Sequence, residues 1–120
     1  MAHGKEYTIA LSAEYSVLVD NNDLTLYEAE DEAWNVLEGA LANCDAEKHE
    51  VYEVIEASPS LIGHRVKLKA NFEIVVVHHD MTDAYYEAVE LVENISLPEN
   101  VTLICTEQTD FIMVGERVSA

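Results

Sequence analysis

The chain has 120 residues, 49% of them apolar, and carries 24 Asp and Glu against 6 Lys and Arg, a formal net charge of -18. A chain of this length forms one domain that buries about two-thirds of its unfolded surface, and its apolar content with 6 Tyr excludes a disordered acidic tail. No apolar run reaches the ~18 residues of a membrane-spanning helix and Met1-Ala2-His3-Gly4-Lys5-Glu6 is no signal-peptide core, so one cytoplasmic domain over 1–120 is expected, in host cytoplasm if the chain is viral.

The first element is a ladder in which alternate positions, Tyr7, Ile9, Leu11, Ala13, Tyr15, Val17 and Val19, are apolar. Period two over this length predicts a long strand with one packed face, bent near Leu11–Ala13. Asp20-Asn21-Asn22-Asp23 is a turn, and Leu24 to Leu41 reads as a helix with Leu26, Ala29, Ala33, Val36, Leu37 and Ala40 inward. A strand over Val51–Ala57 follows, then a turn at Ser58-Pro59-Ser60 and a short link, Ile62-Gly63-His64. The second ladder runs Val66, Leu68, Ala70, Phe72, Ile74, Val76 and ends on His78. A second helix begins after Asp80, capped by Asp80 or Thr82, and reaches about Leu97 before Pro98 stops it. Its inner face is Ala84 or Tyr85, Ala88, Val92 and Ile95, and two strands, Val101–Thr106 and Phe111–Val118, close the chain.

The two ladders superimpose at a constant offset of 59 residues, and the offset carries into the helices: Tyr27-Glu28-Ala29 falls on Tyr86-Glu87-Ala88, and Asn35 on Asn94. This is the pattern of an internal duplication, with pseudo-repeats of about 1–60 and 61–120. The expected class is α+β: an antiparallel or mixed sheet with two helices on one face, built from pseudo-duplicated β-α-β units, with a ferredoxin-like split arrangement as the first topology. Leu18, Val75 and Val77 are apolar on the second face of the ladders, which predicts that this end is covered by a partner or by a second copy in a homo-oligomer.

The acids are distributed unevenly. Glu28, Asp31, Glu32 and Glu38 fall on the first helix opposite its apolar stripe, and Glu87 and Glu90 hold the equivalent side of the second, with no Lys or Arg in either helix. Like charges three or four residues apart destabilise a helix by a few tenths of a kcal/mol per pair, so a merely solubilising face would mix the signs. These six residues are the candidate partner-binding set. The expected function is a non-enzymatic acidic inhibitor or decoy that mimics a nucleic acid and fills the basic groove of a nucleic-acid-binding protein. The alternative is a structural or assembly protein, such as a particle-surface or scaffold component, whose acidity serves solubility. Arg65, Lys67 and Lys69 cluster on the second ladder, where they can pair with strand acids such as Glu6, Glu14 or Glu53. Direct nucleic-acid or membrane binding is not expected from so acidic a chain.

The chemistry-bearing residues assemble into no reactive pattern. His78-His79-Asp80 resembles a metal cluster, but adjacent strand residues point to opposite faces, so structural histidines and no metal are expected. Cys44 and Cys105 lack CxxC spacing and read as buried structural thiols. No phosphate-binding glycine loop, HExxH or GxSxG occurs, so neither a cofactor nor an enzymatic activity is expected. Tyr27, Trp34 and Leu41, spaced by seven, form a candidate contact ridge. The strand-then-acidic-helix cadence with its Tyr-Glu-Ala and Glu-Ala steps resembles that of many small phage-type proteins, which implies an accessory or counter-defence role.

Overall fold

A computed structural model describes residues 2–44, 46 and 48–119, with side chains over 4–44, 46 and 48–107. The elements are β1 (Ala2–Val19), α1 (Leu26–Leu41), β2 (Lys48–Ser60), β3 (Gly63–His78), α2 (Met81–Glu93) and β4 (Val101–Ser119). The four strands form one sheet in the order β2-β3-β1-β4 with every neighbouring pair antiparallel. This is an α+β fold in βαββαβ order, consistent with a ferredoxin-like topology.

The two ladders become the central strands. β1 and β3 pair without a break from Lys5 opposite His78 to Val19 opposite His64, and Ser12 opposite Asn71 is the midpoint. Asn71 also lies 59 positions after Ser12, so the sequence offset and the strand register share one centre. The outer strands correspond at a different offset. Lys48 opposite Glu73 matches Cys105 opposite Glu14, and Val51 opposite Ala70 matches Gln108 opposite Leu11, so β2 and β4 correspond at 57 residues. The two-residue change preserves which face each side chain takes, and it is absorbed in the helix-to-strand connections.

Several expectations on strand extent need correcting. The predicted strands at 101–106 and 111–118 are one continuous strand, β4, and the polar run between them stays in the sheet. Register shifts do it: β4 carries an extra residue at Ile104, Thr109 and Val114, and β2 at Tyr52 and Ile55. The bend predicted within the ladders therefore falls on the outer strands, while the central ladder is unbroken. Ser58-Pro59-Ser60 belongs to β2, and Ile62-Gly63-His64 is no linker: Ser60 pairs with Gly63 across a two-residue turn at Leu61-Ile62. Leu18 lies opposite Arg65 while Val75 lies opposite Thr8, so the second-face apolar residues sit at opposite ends of the sheet rather than at one.

The helices pack on one face of the sheet, but not beside each other. β1 is 18 residues long and α1 only 16; at about 3.3 and 1.5 Å per residue the strand is more than twice the helix's length. α1 therefore covers one half of the sheet and α2 the other, their C-terminal ends facing across a cleft lined by Asn43 and Cys44 from one side and Leu91 and Asn94 from the other. The molecule measures 60 × 21 × 17 Å. Ala29, Ala33, Leu37 and Leu41 of α1 and Ala84, Ala88 and Val92 of α2 are buried against the odd side chains of β1 and the even ones of β3 in one core. Small residues every fourth position let each helix sit close on the sheet. Leu26, predicted inward, is 43% exposed because α1 begins there rather than at Leu24. α2 ends at Glu93, short of Leu97, leaving Ile95 half-buried outside the helix.

Candidate protein-binding surface

Both helices start on side-chain caps. Thr25 Oγ1 accepts from the Glu28 amide at 3.1 Å while the Thr25 amide donates to Glu28 Oε1 at 3.0 Å, a reciprocal capping box. Asp80, rather than Thr82, caps α2 by accepting from the Asp83 amide at 2.9 Å. The Thr25 amide, and after it the Thr25 hydroxyl, hold the Glu28 carboxyl below its ordinary range. Its native pKa is thus lowered, so its contribution to stability is complete at neutral pH and fades as pH falls through the carboxylate range. Thr25→Ala should lower stability by about 1 kcal/mol, and urea unfolding of the two proteins at pH 7 and at pH 4 should show the difference shrinking at the lower pH.

All six candidate acids, Glu28, Asp31, Glu32, Glu38, Glu87 and Glu90, are exposed. The end-to-end arrangement places them in one file along the long axis; the two side-by-side rows that paired helices would offer are not formed. Along α1 the four exposed acids give about one carboxylate per 6 Å of helix, roughly half the density of one phosphate per about 3.4 Å of a DNA strand. Charge is partitioned by layer. Nine carboxylates and no Lys or Arg lie on the helices, whereas all six Lys and Arg lie on strands. Neither helix carries a basic residue in its last turn, so both negative dipole ends meet at the central cleft without a countercharge.

The other face of the sheet is mixed in sign and largely satisfied by its own side chains. Lys67 reaches Glu56 at 3.8 Å, Arg65 donates to Ser16 Oγ at 3.1 Å, and Lys69 lies in register between Glu14 and Glu53. Glu6, expected as a further partner, sits opposite Val77 at the far end. Tyr52 and Ser12 share a 3.4 Å hydroxyl contact across β3, and Ser12 and Ser16 are buried beneath the longer side chains. Cys105, expected to be buried, is instead exposed on this face opposite Glu14; partial desolvation and then the Glu14 carboxylate raise its thiol above the ordinary value, the opposite of what a reactive thiol requires.

The histidines are scattered. His78 Nε2 lies 3.2 Å from Glu87 Oε2, outside hydrogen-bonding geometry; His79 is exposed; and His64 Nε2 meets the Leu24 carbonyl at 3.0 Å. Among the described residues no three His, Cys, Asp or Glu converge as metal ligands, and no helix is long and apolar enough to cross a membrane. The predicted ridge is not one surface: Leu41 is in the core, Trp34 is half-buried against it, and only Tyr27, 75% exposed, is free. Sequence reasoning missed the apolar ends. Leu61 at the hairpin tip is 98% exposed, and Tyr86, 59 positions after Tyr27, is 63% exposed. The signal was available for the tyrosines, since the 59-residue offset pairs them; Tyr27 lies in the first turn of α1 and Tyr86 in the second turn of α2. No family model, curated protein or solved structure matches the chain.

Proposed function

We propose that the protein is an acidic, non-enzymatic binding protein that occupies the groove of a basic, nucleic-acid-binding protein through its helix layer. The observation that carries this reading is the partition of charge: nine carboxylates and no cation on the helices, with every Lys and Arg confined to the sheet. A layer built only for solubility has no reason to exclude the cations that would stabilise its own helices through three- and four-residue pairs. A basic groove would supply them in trans, and a file of exposed carboxylates along a 60 Å molecule offers the sign and length, at about half the charge density, of a short stretch of backbone phosphates.

The test is salt and charge together. Binding to the partner recovered from the natural cell should weaken steeply between about 50 and 200 mM salt. Exchanging Asp31, Glu32 and Glu38 for their amides, or Glu87 and Glu90 for Gln, should slow association while dissociation changes little. Stability should hold or rise slightly in these variants, because repulsion along each helix is relieved. Glu28→Gln is the exception, since a carboxylate at the helix N-terminus is favourable and its removal costs what the others gain.

The assembly reading is kept by one observation, the exposed Leu61 and Tyr27 at one end of the molecule. It predicts that the amide variants assemble as the parent does, while Leu61→Ser or Tyr27→Ala loses the partner. A pull-down with that outcome would sink the decoy reading.

A further inference from the structure

We infer that the free edge of β3 at Val75 and Val77 is a docking site for an extended, basic segment of another protein, which adds to the sheet as a strand. The inference goes beyond the helix layer and stands without it.

β2 leaves part of β3 uncovered. Their ladder begins at Lys48 opposite Glu73, and among the described residues no strand pairs with the outer side of Ile74–His78. On the other side of the sheet β4 accompanies β1 from Val17 to Ala2, so only one of the two central strands is exposed.

Which backbone groups face outward follows from one hydrogen bond. The Leu18 amide donates to the Asn100 carbonyl at 2.9 Å, and Asn100 Nδ2 donates back to the Leu18 carbonyl at 3.3 Å, so Leu18 turns both its groups toward the β4 side. Backbone direction alternates along a strand, so even residues of β1 face β4 and odd ones face β3. The odd residues Tyr7 and Ile9 lie opposite Val76 and Ile74, which therefore spend their groups on β1. Odd residues of β3 face the other way: Glu73 toward Lys48, then Val75 and Val77 toward no strand among the described residues. Two N–H and two C=O groups, spaced as a neighbouring antiparallel strand requires, are presented outward.

The true outer strands are guarded as edge strands usually are, and this stretch is not. β2 carries extra residues at Tyr52 and Ile55 and a proline at 59, and β4 carries three extra residues. Ile74-Val75-Val76-Val77 has no charge, no proline and no bulge on the β1 side, and Val77 is 41% exposed. Chemistry around the edge selects the occupant. Glu73, Asp80 and Glu87 flank it; Lys48 lies 3.7 Å from Glu73, and Lys5 belongs to the strand behind. A second copy is a poor fit, because five residues of edge fall far short of the ~800 Å² per partner of a stable interface and both copies carry -18. A short segment alternating basic and apolar residues meets both demands, with main-chain bonds for affinity and valine contacts for register.

The experiment uses the full chain and a fluorescent octapeptide of alternating lysine and valine. Its control is the same peptide N-methylated at alternate residues, equal in charge but unable to complete a ladder. We expect saturable binding of the first peptide at 150 mM salt, at least about tenfold weaker binding of the second, and slowed hydrogen exchange at the Val75 and Val77 amides only with the first. Val77→Pro removes an outward amide without touching the β1 ladder and should lower affinity by a similar factor. Val77→Lys does so by charge should the proline variant fold poorly. Equal binding of both peptides would reduce the interaction to bulk charge and overturn the proposal. So would unchanged exchange at both amides, or a dimer in sedimentation that Val77→Lys abolishes, which would assign the edge to a second copy. Amide exchange at Asp31, Glu32 and Glu38, which lie on α1 over the other half of the sheet, should leave peptide binding unchanged, and its loss there would assign the peptide to the helix layer and overturn the proposal.

Discussion

Gly63→Ala is expected to destabilise the protein by about 3 kcal/mol or more. Gly63 opens β3 directly after the turn at φ +154°, a backbone conformation closed to residues with a Cβ. Space is closed as well: a Cβ there would meet the Val19 carbonyl oxygen at 1.9 Å and the Asn21 amide nitrogen at 2.8 Å. Neither can yield cheaply. Val19 ends β1 opposite His64, and the Asn21 amide donates to the same Val19 oxygen at 3.0 Å, so the methyl would press on backbone fixed in two places. Gly39 is the internal control. Nothing lies within 4 Å of its Cβ position and it sits within α1, so Gly39→Ala should stabilise by about 0.5–1 kcal/mol. Urea unfolding of the pair should give shifts of opposite sign. A Gly63→Ala protein within 1 kcal/mol of the parent would mean that the β2–β3 turn does not approach β1 as described.

Tyr15→Phe is expected to act in the reverse direction, raising stability by about 1–2 kcal/mol. Tyr15 is fully buried in the core and its hydroxyl has no hydrogen-bond partner among the described residues. Phenylalanine keeps the ring contacts and removes the desolvated group. The same burial, with a smaller push from Cys44, raises the phenol above its ordinary value. Above about pH 10 the unfolded chain therefore releases a proton that the native protein retains, and unfolding is favoured as pH rises. The alkaline loss of stability should be shallower in Tyr15→Phe than in the parent, measured by urea unfolding from pH 8 to 11. A destabilised variant would show that the hydroxyl holds an internal water in solution.

The central half of this fold was legible because it is written in period two. Thirteen residues of alternation, twice, admit little but paired long strands; it took the pairing register to show that Ser12 and Asn71, 59 positions apart, lie at their centre. The outer strands were harder. Glu107-Gln108-Thr109-Asp110 has the composition of a turn, yet the sheet keeps it by inserting an extra residue, a choice made by pairing with β1 and invisible to local propensity. Arrangement of the helices was within reach: strand and helix rises alone forbid one helix from covering so long a sheet. The six candidate acids lie outward as expected, since their faces follow from the apolar stripe. Their single file was not foreseen, because it depends on end-to-end packing. The free edge was hidden for a different reason, since it exists only by the difference in length between β2 and β4.

Pairing Ala2 with Ser119 also means that during synthesis β1 waits for the end of β4 before its second edge is covered. The first strand can meet β3 once the β2–β3 hairpin has formed, but its other edge stays open until the last strand arrives. Contacts so distant in sequence slow folding, because loop closure must precede any gain from pairing, and during that interval a long, apolar, unpaired edge is available for association with other chains. Repulsion between chains that each carry -18 acts throughout this interval, before any surface has taken its final form. The acidity therefore has work to do in the ensemble that precedes the folded state. Neutralising the helix acids should increase aggregation during refolding from urea even where the native protein is more stable.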